Sequence, residues 1–573
     1  MSKYPNLTDS EYYSKITNIY KDYKISNKKP KFEDICFPKN YNLQLPQVFV
    51  SKYINPNTPY TRLLIYHQIG AGKTCAAIQI AEAWKNIKKI IIVLPASLIG
   101  NFRAELRTLC GKNHYLNDKD RNKLKILNPH DMEYKNIIKI SDSKINEVYN
   151  IYSYNKFIKL LEDKEINLKN TLLIIDEIQN MISDGGTYYE TLFNAVHSAP
   201  LDLRLVLLSA TPIFDKPNEI ALTMNLLLPK KDNLPISKEF DKKFIHRTHN
   251  KIQIQNSLLL KEALKGYISY FRGAPSYVFP NMTVKYVKCE MSDFQYNAYK
   301  DVSKLESENA KFKEEEKTVK NLPNNFFIGT RIVSNIVFPN RQINEEGFKS
   351  LKGKKIIENL AEYSIKFARI IHKLETCSGK IFIYSSFKEY GGIKSFARVL
   401  EEFGYTNYNE TGKTGTKRFA IWSGDETNTV RDEIRAIYNN KNNLKGKKLK
   451  ILLGSPSIKE GVSLTAVKQV HILEPYWNQA RLDQIIGRAS RYCSHKDVPE
   501  EERYVKVYIY IAVHPKEKIT VDEYIHNLSN QKNKLVRDFE RVLKETAIDC
   551  SLNKYANIQP TEEEGEEPIK CME

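Results

Sequence analysis

The sequence predicts an α/β protein with two parallel-sheet domains, a helical insertion between them and a helical C-terminal tail. Three observations carry that expectation. Apolar runs without alternation, such as residues 89–95 and 171–175, are what strands covered on both faces of a parallel sheet require. A strand, a glycine turn and a helix of small and apolar residues follow one another over residues 63–84. A second strand–helix rhythm then restarts near residue 380 without such a turn. The expected divisions are an N-terminal extension (1–40), a first α/β domain (41–230), a mostly helical block (231–365), a second α/β domain (366–515) and a helical segment with an acidic tail (516–573).

Composition narrows the class. With 573 residues, 41% hydrophobic and 27% charged, the chain is an ordinary globular protein long enough for several cores. A formal charge of +20 favours a polyanionic partner, most often nucleic acid, over the Lys-, Asn- and Ile-rich bias that an A/T-rich genome produces. Eight cysteines stand without any C-x-x-C pair, so neither a zinc site nor a disulfide framework is expected, and a reducing compartment is. The N-terminus is polar and no apolar run approaches the length of a membrane span, so secreted and membrane readings are excluded.

Taken in order, residues 1–40 form a Lys- and Tyr-rich extension, and residues 45–50 a helix carrying Gln47. An amide there can meet both donor and acceptor on an adenine edge, although a surface glutamine is the commoner meaning. Gly70, Ala71, Gly72, Lys73 and Thr74 form a phosphate-binding loop. Glycines let backbone N–H groups wrap phosphate oxygens, and the helix N-terminus adds positive dipole. Lys73 would reach the β- and γ-phosphates of ATP, and the Thr74 hydroxyl would hold Mg²⁺. His67 replaces the first glycine of the strict pattern. The strand at 171–175 ends in Asp176 and Glu177; the first suits Mg²⁺ coordination, the second positioning of the attacking water. Residues 203–208 make another strand, opening into Ser209-Ala210-Thr211-Pro212, where hydroxyls can relay the state of the γ-phosphate.

Residues 231–365 carry a basic stretch around Lys242 to Lys251 and a charged segment from Lys304 to Lys320. The second domain has strands near 380–384, 450–453, 470–473 and 505–513. On a helix, Gln484, Arg488 and Arg491 would share one face, and two guanidiniums together suit a γ-phosphate in its transition state. A salt-bridged structural face is the competing reading. The acidic run from Glu562 to Glu567 is expected to be disordered.

In order and spacing these motifs resemble superfamily 2 helicases and translocases over about residues 40–515, which implies two RecA-like domains. Arg331 to Pro339 looks like the matching segment of chromatin-remodeller-type ATPases. A closer resemblance rests on Glu460-Gly461-Val462-Ser463-Leu464, on His471 to Asn478, on Gly487 to Arg491 and on Ala547-Ile548-Asp549-Cys550. These are similar to the transcription-associated ATPases of large cytoplasmic DNA viruses, the group of poxvirus nucleoside triphosphatase I and the early transcription factor small subunit. Gln179 stands where that group usually has His; it can bridge motifs by hydrogen bonds but cannot titrate.

The resemblance implies an ATP- and Mg²⁺-dependent enzyme that translocates on duplex DNA through backbone contacts. It further implies viral RNA polymerase or transcription factor subunits as partners, and a location in the virion and host cytoplasm. Two other functions compete: a strand-separating helicase, and a promoter-binding or scaffolding subunit whose ATPase is a slow switch.

Overall fold

The structure is a computed structural model that describes the chain except residues 1–2, 29, 40, 129–130, 183–185, 249–251, 310–325, 459–461 and 559–566. The chain divides into two compact units, one formed by residues 1–276 and 534–573, the other by 277–533.

The first unit contains β1 (Arg62–His67), β2 (Lys89–Leu94), β3 (Tyr149–Ser153), β4 (Thr171–Ile175), β5 (Arg204–Leu208), the small hairpin β6 (Ile245–Arg247) and β7 (Ile252–Ile254), and β8 (Ile268–Phe271). Its main sheet has the order β3-β2-β4-β5-β1-β8, with every pairing parallel. The runs without alternation are explained directly. In β4 all five residues are buried, because helices cover both faces. Leu64, Tyr66, Leu173 and Leu205 point into one core, while Leu63, Ile65, Leu172 and Val206 point into the other.

The second unit contains β9 (Asn281–Glu290), β10 (Lys380–Tyr384), β11 (Thr406–Asn407), β12 (Arg418–Trp422), β13 (Ile451–Gly454), β14 (Val467–Ile472) and β15 (Tyr504–Val513). They form one parallel sheet in the order β11-β12-β13-β10-β14-β15-β9, again with a core on each face.

Both units are therefore RecA-like α/β domains, as the sequence predicts, but their limits need correction. Residues 231–365 are no separate block. They give the four-residue β8 to the edge of the first sheet beside β1, and the ten-residue β9 to the edge of the second beside β15. The C-terminal residues are no appendage either. Leu535, Phe539, Val542 and Ala547 enter one core of the first unit, and Ile548 and Leu552 enter the other. The Ile548 N–H donates to the Ile268 carbonyl at 2.8 Å, fixing this segment to β8.

The cysteine expectation is also corrected: Cys75 is bonded to Cys110, and Cys550 to Cys571, with Cα–Cα distances of 5.8 and 5.6 Å. Tertiary proximity brings these pairs together across 35 and 21 residues, a separation that shows no local motif. The argument for a reducing compartment falls with it. Cys289 and Cys377 are free and buried. Among the described residues no helix is long and apolar enough to cross a membrane. The charged segment beyond Asn309 and the acidic run at 562–566 lie outside the described residues.

Candidate nucleotide site

β1 is buried from its second residue onward and delivers the chain to a turn at its carboxyl end, where open α/β sheets bind ligands. Gly70 and Gly72 have φ of +85° and +73°, which side-chain-bearing residues rarely adopt. A Cβ on Gly72 would also stand 2.2 Å from the Gln47 Nε2. The helix Lys73–Trp84 starts immediately afterwards with no side chain capping it. Its first N–H groups thus remain available to an anion. Gln47 sits on the helix Leu45–Tyr53 and is buried against the loop. Its Nε2 donates to the Gly72 carbonyl at 3.1 Å, and its Oε1 accepts from the Gln44 N–H at 2.9 Å. Both ends of the amide are engaged by protein rather than presented to a base.

The acids follow β4 next door. Lys73 Nζ lies 2.8 Å from Glu177 Oε1, joining the loop lysine to the second acid. Glu177 has left-handed backbone angles (φ 50°, ψ 50°), held in part by Tyr154. The Tyr154 hydroxyl lies 2.6 Å from the Asp176 carbonyl and 2.9 Å from that of Glu177. Gln179 then extends the chain of contacts. Its Nε2 donates to Glu177 Oε2 at 2.6 Å, and its Oε1 accepts from the Ser209 hydroxyl at 2.7 Å. Ser209 Oγ in turn accepts from the Thr211 N–H at 3.0 Å. The expected bridge from Gln179 to the Ser-Ala-Thr stretch is present, in a geometry suited to an amide because Gln donates at one end and accepts at the other.

Asp176 is buried, and burial followed by the charge of Glu177 pushes its carboxyl up to about 6. Its Oδ1 accepts from the Glu177 N–H at 2.9 Å, while Oδ2 has no hydrogen bond among the described residues. A desolvated carboxylate within reach of the Lys73 charge, and the hydroxyl of Thr74, the next residue of the helix, are both hard oxygen donors of the kind that Mg²⁺ takes.

His67 has a structural explanation. It ends β1, fully buried, and burial followed by Lys73 lowers it to about 3, so it is neutral at working pH. Its Nε2 lies 2.9 Å from the Ser269 hydroxyl, which donates to Asp549 Oδ2 at 2.6 Å. The Tyr270 N–H donates to Asp549 Oδ1 at 2.9 Å. The histidine thus ties the loop's strand to β8 and to the C-terminal segment. Sequence reasoning missed Tyr154, Ser269 and Asp549; only Asp549 had a signal, through the Ala-Ile-Asp-Cys resemblance.

In the second unit, one expectation needs correction. The helix Gln479–Ile486 ends before Arg488, so Gln484 and the two arginines do not share a helical face. Gly487 turns the chain, and the N–H groups of Arg488 and Ala489 bond three residues back instead of four. The arginines are still neighbours. Arg491 is mostly buried, and burial followed by the Arg488 charge lowers it to about 10. Its Nη1 donates to the Ser463 hydroxyl at 2.7 Å, and its Nε to the Gly487 carbonyl at 2.9 Å. Two desolvated guanidiniums close enough to repel favour an anion between them. Glu460 and Gly461 of the adjoining stretch lie outside the described residues.

A parallel-sheet unit whose glycine-loop lysine contacts a strand-end acid, in a chain that carries a second unit of the same build, has the makings of a nucleoside triphosphatase. The SNF2-related domain matches residues 48–347, the helicase conserved C-terminal domain 365–493, and the nucleoside triphosphatase I C-terminal domain 495–567. The chain belongs to the SNF2-related family of superfamily 2 helicases and is an ATP-hydrolysing enzyme. It is 52% identical, over 99% of both chains, to a putative ATP-dependent RNA helicase (R563) of Acanthamoeba polyphaga mimivirus. It is 28% identical to a termination factor NPH-I homolog of African swine fever virus, over 87% of this chain and 78% of that one. The solved SWI2/SNF2 ATPase core of Sulfolobus solfataricus aligns over 87% of this chain and 92% of that chain, at 16% identity and a TM-score of 0.30.

Proposed function

We propose that the protein is a DNA-dependent ATPase that translocates on duplex DNA during viral early transcription, at initiation or termination. The observation that carries the reading is the continuous contact from Lys73 through Glu177 and Gln179 to Ser209. Such a chain lets the occupancy of a phosphate site be felt at a second loop, which a coupled motor needs and a simple phosphatase does not. Lys73 binds the β- and γ-phosphates, Thr74 and Asp176 hold Mg²⁺, which shields the phosphate charge, and Glu177 orients the attacking water. Contact with Lys73 stores Glu177 until a phosphate takes the lysine. Arg488 and Arg491 stabilise charge that develops in the transition state, and Gln47 supports the nucleotide loop through its contact with the Gly72 carbonyl.

Support for the transcriptional role comes from the African swine fever virus relatives, which are named termination factor NPH-I homologs, and from the nucleoside triphosphatase I C-terminal match. The net charge of +20 agrees with a nucleic-acid partner. Viral polymerase or transcription factor subunits are the protein partners this role calls for, and virion and host cytoplasm the location. A second reading, RNA unwinding, is favoured by the name of the 52% identical relative.

The test measures ATP hydrolysis with duplex DNA, single-stranded DNA and RNA at matched phosphate concentration, alongside strand displacement. Stimulation by duplex without displacement supports the translocase. Stimulation by RNA with displacement overturns it in favour of the helicase, and no stimulation by any of them leaves the switch-like subunit.

A further inference from the structure

The second sheet carries a basic hollow far from the loops that follow its strands. It lies at the amino ends of β14 and β15 and measures about 230 Å³. Alternate residues of a strand share a face, so Tyr504, Lys506 and Tyr508 of β15 line it together. Across the ladder Lys285 of β9 stands directly opposite Tyr508. From above, the last turn of the helix Ile365–Thr376 brings Lys373 Nζ to 4.3 Å from the centre of the Tyr508 ring. Arg369, one turn earlier, adds a fourth cation.

Three separate elements thus deliver positive charge to one place, and none delivers its neutralisation. Among the described residues Lys285, Arg369, Lys373 and Lys506 make no ion pair with any carboxylate. Lys468, at the floor, is by contrast paired with Glu502. The crowding has a cost: Lys373 is lowered by partial burial and by the charges of Lys285, Arg369 and Lys506. Lysines on an edge strand also discourage strand addition, but Arg369 and Lys373 stand on a helix and need another reason.

We propose that this hollow binds the phosphodiester backbone of a single nucleic-acid strand, as a contact additional to the ATP-driven one. A track fits better than a cage. Lys506 and Lys285 are one strand apart and two residues along, about 8 Å, which suits successive phosphates of an extended strand. Lys285 and Arg369 are exposed and carry the charge out of the hollow, where a small polyphosphate would have no use for it. None of these residues belongs to the phosphate loop, the acids or the arginine pair, so loss of ATP hydrolysis and loss of this contact are separable.

The test uses the full chain without nucleotide and a fluorescein-labelled 12-nucleotide oligouridine carrying 4-thiouridine. Fluorescence anisotropy is read across a salt titration, and photocrosslinked peptides are mapped. The K373E/K506E protein should bind at least tenfold more weakly. The slope of log affinity against log salt should flatten by about 1.4, two phosphates at roughly 0.7 each for a single strand. K373R/K506R should keep both, and crosslinks should fall in peptides containing residues 373–378 or 504–508. Should the charge reversal impair folding, K285E/R369E, at exposed positions, must show the same loss. Unchanged affinity and slope with crosslinks elsewhere overturns the proposal. So does full displacement of the strand by tripolyphosphate at equal charge without any crosslink in these peptides, which would make the hollow a small-anion pocket.

Discussion

The two units place the same device at the same point of their topology and fill it differently. In the first, β1 lies between β5 and β8 and runs into a glycine loop and the helix Lys73–Trp84. In the second, β10 lies between β13 and β14 and runs into residues 385–392 and the helix Ile393–Glu402. That second loop also has a glycine at positive φ, Gly391 at +72°. Its donors, however, are already satisfied. The Ser386 N–H and the Ser385 hydroxyl both donate to the Glu474 carboxylate, and Asn335 Nδ2 donates to it at 2.9 Å. A resident carboxylate occupies the position that a phosphate would need, and Gly391 packs where a Cβ would come within 2.8 Å of Ile332. The strand-loop-helix arrangement by itself makes an anion hole; whether it becomes a nucleotide site depends on whether the chain supplies its own anion.

The sharpest way to break this comparison is Lys73→Ala, which removes the lysine at the end of the first loop, whereas Lys388 of the second loop is already paired with Asp425. Turnover should fall about 10³-fold or more with the fold intact; a steady-state assay retaining a tenth of normal activity would refute the assignment. Arg491→Ala should slow nucleic-acid-stimulated hydrolysis about 10²-fold or more while nucleotide affinity of the resting protein changes little. Wild-type turnover in stopped flow would make the arginine purely structural. Glu474→Ala attacks the other side of the comparison. It strands several buried donors and should cost roughly 3 kcal/mol in urea unfolding of the second unit, with ATP binding preserved. A variant as stable as the parent would mean that the carboxylate is not filling a required hole.

A milder effect comes from pH. The Asp176 carboxyl is raised to about 6 from its usual 3.8, so the folded state favours its neutral form. Charged Asp176 therefore costs stability as pH rises through that interval, while Mg²⁺ requires the charge. Mg²⁺-dependent nucleotide affinity should weaken as pH falls from about 7.5 to 5.5, and Asp176→Asn should be weaker throughout and flat. A pH-independent affinity in the unmodified protein would remove Asp176 from the metal site. The smallest change is expected for Gln179→His, which can still bridge Glu177 and Ser209; activity within about threefold is anticipated, and a collapse to the level of Gln179→Ala would show that both ends of the amide are needed.

Much of the first unit was readable because its signals are local. A buried parallel strand announces itself by an unbroken apolar run, and the loop by glycines at fixed spacing. β3, β8, β9 and β12 escaped notice because their residues alternate or are too few: Tyr149–Ser153 includes Asn150 and Ser153, and β9 is exposed over most of its length. The end of the helix before Arg488 was missed for a similar reason, since Gly487 can continue a helix or turn out of it. Glu474, Asp549 and the cysteine pairs could not be assigned roles at all. Their meaning lies in partners distant in sequence, such as Asn335 for Glu474 or Ser269 for Asp549.

That last pairing also fixes the order in which the protein can be made. Asp549, Ile548 and Leu552 complete a unit whose other residues, 1–276, leave the ribosome first. At about 5–20 residues per second the wait is on the order of half a minute, during which the whole second unit is synthesised. The first-made half must remain without its closing segment while the later-made half has everything it needs to fold. The ATP-binding unit is thus the last to close, and a chain cut short before residue 534 carries every motif of the phosphate site yet lacks the piece that anchors β8 and the histidine of β1.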